Sequence, residues 1–248
     1  MSALQSFINE AHTNGKKLLA VLIDPDKIKS EELLKQFIGS CEYAKADLIF
    51  VGGSLLINDV FNQTIKTIKS CTKIPVIIFP GSPLQISSDA DGILFLSLIS
   101  GRNPELLIGH HVIAAPYLKK SGIETLPTGY ILVDCGSPTT VGYMSNTQAI
   151  PYDKPEIAAC TAMAGEMLGL KLIYLDGGSG AQKPISQNCI ESVCKQIDIP
   201  VIVGGGIRSI DVANSAWKAG ATIVVIGTAF EKEPELMASF RNRVSVAI

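Results

Sequence analysis

The sequence lacks a charge excess. Its 21 lysines and arginines face 23 aspartates and glutamates, a formal net charge of −2. Nothing therefore steers it towards nucleic acid or an anionic bilayer surface. Lys16-Lys17, Glu31-Glu32 and Lys119-Lys120 are too short to be interaction tails and read as solvated faces. No apolar stretch approaches the roughly 18 residues of a membrane span. Met1 to Glu10 has no basic segment leading into an apolar core, so no signal peptide is expected, and a cytoplasmic location is. The six cysteines, at 41, 71, 135, 160, 189 and 194, include no C-x-x-C pair. Zinc-ligand spacing and a disulfide framework are thus both excluded, which leaves reduced, mostly buried thiols. Aromatics make up only 6% of a chain that is 47% hydrophobic. The core must rest on Val, Ile, Leu and Ala, the residues favoured in parallel strands covered on both faces.

What the chain does have is a repeating rhythm. Short apolar runs recur at Leu18–Ile23, Asp47–Val51, Pro75–Phe79, Gly92–Leu96, Gly129–Val133, Lys171–Leu175, Pro200–Val203 and Thr222–Ile226. Each has little alternation, as expected of strands buried on both sides. Helical stretches separate them, with Ser30, Asp153, Ser186 and Ser209 in capping positions and Pro155 in a first turn. Ser2 to Gly15 reads as an additional N-terminal helix. Pro80 to Asp91 holds two prolines and little apolar period, so the outer helix after the third strand is short or missing. Alternating strands and helices imply parallel pairing with right-handed crossovers. Eight such units in 248 residues predict one (β/α)8 TIM barrel spanning residues 1–248. No dinucleotide fingerprint follows the first strand, which weakens the open-sheet alternative.

In such a barrel the chemistry belongs to the loops after the strands. The first is followed by Asp24-Pro25-Asp26-Lys27 and the second by Gly52-Gly53-Ser54. A carboxylate and a hydroxyl at adjacent strand ends suit a shared hard cation such as Mg²⁺, which takes oxygen ligands and keeps several waters. They equally suit a capping aspartate and a tight glycine turn, and spacing alone leaves both open. The sixth strand runs into Tyr-Leu-Asp-Gly-Gly-Ser-Gly-Ala, Tyr174 to Ala181. Its small residues let backbone amides approach an anion, and Tyr174 and Asp176 share one side of the strand end. The seventh strand leads into Gly204-Gly205-Gly206-Ile207-Arg208-Ser209, and the eighth into Gly227-Thr228-Ala229. Loops after strands seven and eight, with a helix amino end, make the common phosphate site of these barrels, so phosphate binding is preferred to mere chain turning.

Other residues carry less. His110-His111 has no third ligand spaced for zinc, and surface or packing roles are favoured. Trp217 sits among alanines at 216, 219 and 221 and is expected to pack outside the barrel. Cys135 follows a strand end, but no histidine partner stands out.

Taken together, Asp-Pro-Asp-Lys, Val-Gly-Gly-Ser, Tyr-Leu-Asp-Gly-Gly-Ser-Gly-Ala and Gly-Gly-Gly-Ile-Arg-Ser, in this order, resemble the geranylgeranylglyceryl phosphate synthase family of prenyltransferases. The resemblance runs nearly end to end. It implies joining of sn-glycerol 1-phosphate to a prenyl diphosphate, usually geranylgeranyl, with release of diphosphate. It places Mg²⁺ on Asp24 and Ser54. It places glycerol phosphate on Tyr174, Leu175, Asp176, Gly177, Gly178, Ser179, Gly180, Gly205, Gly206, Gly227 and Thr228, with Tyr174 and Asp176 as catalytic residues. Many members carry glutamate where this chain has Asp176, one methylene shorter. The branch using heptaprenyl chains carries lysine two residues before the metal aspartate; Leu22 stands here, which favours the geranylgeranyl branch. A prenyl groove is expected along Pro80–Ser100 and the loop Ile113–Leu126. A homo-oligomer, dimer or hexamer, suits the family. The alternatives are a longer prenyl donor, a sugar-phosphate isomerase or aldolase using Lys27 or Lys183, and a non-catalytic phosphate-binding barrel.

Overall fold

The computed structural model describes residues 3–243. Eight parallel strands close on themselves in sequence order: β1 Leu18–Ile23, β2 Leu48–Val51, β3 Val76–Ile78, β4 Gly92–Leu98, β5 Glu124–Leu132, β6 Leu172–Asp176, β7 Val201–Gly204 and β8 Ile223–Ile226. The helices are α1 Ala3–Thr13, α2 Glu31–Tyr43, α3 Phe61–Cys71, α4 His110–Ser121, α5 Thr140–Ser145, α6 Pro155–Met167, α7 Gln187–Cys194, α8 Ile210–Lys218 and α9 Thr228–Lys232. The barrel is the (β/α)8 architecture that the eight apolar runs imply.

Period-two alternation along the strands divides the apolar side chains into two layers. Leu18, Ala20, Phe50, Ile77, Leu94, Leu172, Ile202 and Val225 fill the barrel, whereas Leu19, Val21, Ile49, Val76, Ile173, Leu175, Val203 and Val224 face the helices. Leu4, Ile8 and Ala11 of α1 join the inner layer. Glu124 fixes that helix by accepting from the amides of Leu4 and Gln5 at 2.9 and 2.6 Å. A carboxylate at those exposed amides also meets the positive end of the helix dipole. The extra N-terminal helix is thus the plug of the barrel's lower end. Ser2, its expected start, lies outside the described residues.

Ser30, Ser186 and Ser209 cap their helices, each accepting from the amide three residues on. Asp153 does not. Pro155 opens α6, and Lys154 takes the cap position without a side-chain bond. Proline needs no amide partner at that point and keeps the residue before it out of helical geometry. No helix follows β3: Pro80 to Asp91 is irregular, as its composition implied. Trp217 packs in the outer layer and donates to the carbonyl of Leu18 at 3.2 Å.

A second expectation fails. Ile113–Leu126 is not a loop: it is most of α4, a short turn, and the start of β5. Pro127 masked this strand, because a proline inside an apolar run argues against pairing. Here its carbonyl accepts from Lys171, and Phe95 of β4 pairs beside it.

At the other end of the chain, Arg243 donates to the carbonyls of Ala44 and Lys45 and to Asp47, at 2.8, 2.5 and 2.5 Å. Its guanidinium is largely buried, so these bonds meet little competition from water. Arg243→Ala should lower stability by roughly 2–3 kcal/mol, as loss of charged hydrogen bonds does. In thermal unfolding, a midpoint unmoved from wild type would show that the clasp contributes nothing.

Candidate active site

The loops after the strands enclose a cavity of about 870 Å³ at the barrel mouth. It has two ends of different character. Around β6, β7 and β8 it is lined by Gly178, Ser179, Gly180, Gly205, Gly206, Gly227 and Thr228. Towards β3 and β4 it is lined by Phe79, Ile86, Leu96, Leu98, Leu106, Ala114, Leu118 and Met144.

The first end is a nest of backbone amides. Among the described residues, no hydrogen bond occupies the amides of Ser179, Gly180, Gly205 or Gly206. Gly205 and Gly206 have φ of +87° and +72°, a region open to glycine at no steric cost. Side chains there would strike Gly177 at 2.7 Å and the Lys183 carbonyl at 2.5 Å. The hydroxyls of Ser179 and Thr228 lie 3.4 Å apart and bring the first and last of these loops together. Arg208 donates to the Ala181 carbonyl at 2.7 Å and braces the two earlier ones. Concave, donor-rich and glycine-walled, this end is built for an anion. Leu175 and Gly177 stand apart from it. Leu175 points into the helix layer, and the Gly177 amide pairs with Gly204.

Asp176 and Tyr174 both face the cavity, as their two-residue spacing implied. The parallel register sets Tyr130 of β5 opposite Tyr174, and the Tyr130 hydroxyl donates a short bond to Asp176 Oδ2. The other carboxylate oxygen accepts from the Gly178 amide at 2.8 Å. Phe79 stacks on Tyr174 at 5.1 Å. Burial raises the pKa of Asp176 above the ordinary carboxylate value, and the two hydrogen bonds oppose that rise. Burial and the neighbouring Asp176 charge push Tyr130 and Tyr174 well above the usual phenol value, so both stay protonated donors. Sequence reasoning missed Tyr130. Its only signal was a tyrosine inside an apolar run, one step across the sheet from Tyr174.

Across the mouth, Asp24 is cap and cavity residue at once. Oδ1 accepts from the Asp26 amide at 3.2 Å, while Oδ2 lies 3.3 Å from Lys27 Nζ. A side chain on Gly53 would come within 3.2 Å of Asp24 Oδ1, so the backbone leading to Ser54 lies directly against this carboxylate. Asp26 accepts from the amides of Ile57 and Asn58 and ties the two loops together. Lys27 also bonds Glu231 of α9 at 2.8 Å. Partial burial disfavours its charged form, but the Glu231 hydrogen bond and the charges of Glu231 and Asp24 outweigh this and raise its pKa. Glu231 too escaped the sequence reading.

His111 packs, edge-on to Phe95 at 4.4 Å with Nε2 3.2 Å from Ser97, and both His110 and His111 line the cavity. Cys135 is buried, and desolvation pushes its thiol up to about 12, the reverse of an activated nucleophile. Lys183 Nζ lies 3.4 Å from the centre of the Tyr152 ring, outside the cavity lining.

The sequence matches the PcrB family over residues 12–243. The chain belongs to that family. It is 52% identical to a geranylgeranylglyceryl phosphate synthase of Chitinophaga pinensis, spanning 98% of this chain and 95% of the relative. It is 42% identical to one of Pyrococcus abyssi, spanning 92% and 90%. Among solved structures, the geranylgeranylglyceryl phosphate synthase of Thermoplasma acidophilum in complex with sn-glycerol-1-phosphate superposes with a TM-score of 0.92. That pair is 36% identical and covers 100% of this chain and 99% of the other. Within this PcrB barrel, no group of three or more His, Cys, Asp or Glu side chains suited to a metal occurs among the described residues. No described helix is long and apolar enough to cross a membrane.

The buried Asp176 carboxylate carries a stability signature. Its proton is held more tightly in the fold than in the unfolded chain. The corresponding stabilisation is therefore present at low pH and lost as pH rises from the ordinary carboxylate range through the raised pKa. Asp176→Asn cannot ionise, so the difference between its unfolding midpoint and that of wild type should grow in the variant's favour with rising pH. Tyr130→Phe removes a bond that stabilises the ionised form and should move the wild-type transition upward. A midpoint difference that stays flat from pH 4 to 8 would contradict this picture.

Proposed function

We propose that this protein joins sn-glycerol 1-phosphate to a prenyl diphosphate, with geranylgeranyl diphosphate as the donor, releasing diphosphate. The observation that carries this reading is the two-ended cavity: an amide-lined anion nest at β6 to β8 opens directly onto an apolar trough at β3 and β4. A small phosphate ester fits the first and a hydrocarbon tail the second. The sn-glycerol-1-phosphate complex of the Thermoplasma acidophilum relative supports the choice of acceptor.

The acceptor's phosphate would take the free amides of Ser179, Gly180, Gly205 and Gly206. Its free hydroxyl then points towards Asp176 and the donor's first carbon, a gain in proximity and orientation. The allylic C–O bond breaks with its electron pair leaving on diphosphate, and the hydroxyl oxygen bonds to that carbon. The hydroxyl proton passes to the Asp176 carboxylate, whose raised pKa suits a base better than an ordinary aspartate's. Tyr174, walled in by Phe79 and Tyr130, shapes the junction between the two ends. Asp176 and Tyr174 are thus the catalytic pair of this proposal.

Asp24 and Ser54 are the residues that would hold Mg²⁺. One carboxylate oxygen beside one hydroxyl-bearing backbone turn suits an ion that draws its remaining ligands from substrate and water. When bound, the ion would neutralise charge gathering on the leaving diphosphate.

A Schiff-base aldolase reading loses ground on this geometry. Lys27 is held as an ammonium between two carboxylates, and Lys183 is outside the cavity lining. Ile108, Val112, Ile113 and Tyr117 stand exposed on and beside α4, which supports a homo-oligomer through outer helices.

The test is product analysis with radiolabelled sn-glycerol 1-phosphate, Mg²⁺ and prenyl diphosphates of graded length, with sn-glycerol 3-phosphate alongside. Transfer should peak with the twenty-carbon donor and fall at least ~100-fold in Asp24→Ala and in Asp176→Asn, as loss of charge stabilisation or of a base does. Tight acceptor binding without turnover on any donor would instead identify a non-catalytic barrel.

A further inference from the structure

Lys27 already stands against the carboxylate proposed to hold the metal. Oδ1 accepts from the Asp26 amide, and Oδ2 lies 3.3 Å from Lys27 Nζ. A divalent ion bound to either oxygen of Asp24 would stand close to Lys27 Nζ, and two positive charges that close repel. Lys27 nevertheless has somewhere to remain. Its ammonium is held by Glu231 Oε2 at 2.8 Å, and Glu231 Oε1 also accepts from the Asp24 amide at 3.3 Å. The lysine therefore has a second anchor on the opposite loop. Displaced from Asp24, it stays at the cavity edge on its flexible stem, and both it and Glu231 line the cavity.

We propose that Lys27 is an exchangeable cation: it occupies the Asp24 oxygen while the donor site is empty and turns to the donor's diphosphate when a divalent ion takes its place. This rests on the prenyl diphosphate reading above. A leaving diphosphate bears several negative charges, more than one divalent ion on a carboxylate can neutralise. Of the other basic residues lining this cavity, Lys232 and Arg208, Arg208 is committed to the Ala181 carbonyl on the acceptor side. Lys27 is the one already placed against the proposed metal residue. An ammonium on a long stem suits the exchange, because it can swing between oxygen partners without a fixed bidentate geometry.

The two halves of this role have opposite signs, which separates it from a purely structural one. Lys27→Met keeps the length of the side chain and removes the charge. In calorimetric titrations, the variant should bind Mn²⁺ alone severalfold more tightly than wild type, because the competing cation is gone. It should bind inorganic diphosphate in saturating Mg²⁺ about tenfold more weakly, as loss of a charge-assisted contact implies. Lys27→Arg should recover most of the diphosphate binding, and sn-glycerol 1-phosphate affinity should stay at the wild-type value in both. Glu231→Gln leaves the ammonium a single carboxylate to rest on and should weaken Mn²⁺ binding, giving a second reading if Lys27→Met folds poorly. Unchanged affinities in Lys27→Met, or metal and diphosphate weakened together, would overturn the exchange while leaving the prenyltransferase reading intact. A wild-type protein that binds no diphosphate in Mg²⁺ would remove both.

Discussion

The pairing of β1 with β8, Leu18 with Ile223 through Val21 with Ile226, joins the two ends of the described chain and makes the site possible. Asp24 leaves the top of β1, and Thr228 and Glu231 leave the top of β8. Only closure brings them side by side. Glu231 then reinforces the seam from above by accepting from the Asp24 amide and from Lys27, while Trp217 bonds the Leu18 carbonyl near the lower end. A barrel opened at this seam would keep most of its core and lose the contact between the loop after β8 and Asp24. Closure depends in turn on the inner layer being filled without gaps, and α1 contributes Leu4, Ile8 and Ala11 to that filling.

Above the packed interior, the site departs from the rules that stabilise the rest. Asp176 is a buried carboxylate with no cation bonded to it, satisfied by one phenol and one amide. Apolar burial elsewhere in the barrel offsets the cost of keeping that charge. The arrangement is costly for folding and useful for chemistry, because a carboxylate with raised proton affinity accepts a proton more readily than an exposed one. Tyr130 moderates it by stabilising the ionised form. With aspartate in place of glutamate, the carboxylate stays close to the strand, and the sheet register brings Tyr130 within reach of it.

Much of this was legible in the residues themselves. Strand positions followed from unalternating Val, Ile and Leu, because strands covered on both faces need nothing else. The anion nest followed from Gly205-Gly206 and the glycines after Tyr174, because close backbone approach and positive φ leave few other choices. The irregular Pro80–Asp91 stretch followed from its prolines. The rest depended on register and on long-range contact. The lower part of β5 was hidden by Pro127, a residue whose missing amide costs nothing where its carbonyl serves the neighbouring strand. Tyr130 and Glu231 were invisible as site residues, since each acquires a role only through a partner elsewhere in the chain. Leu106 and Met144 were missed as cavity lining because an apolar residue in a short helical turn looks like any packing residue.

On the proposed function, the division of the cavity also explains how one compact barrel would handle two dissimilar substrates. Late loops are rich in glycine because they expose backbone, and exposed backbone amides suit a phosphate. The β3 and β4 side is the one place where an outer helix is missing, so Pro80 to Asp91 and α4 frame a trough instead of a closed wall. The gap in the helical layer and the apolar end of the cavity are therefore the same feature seen from outside and inside. A complete helix over residues 80–91 would have strengthened the shell and closed the space proposed for a hydrocarbon chain.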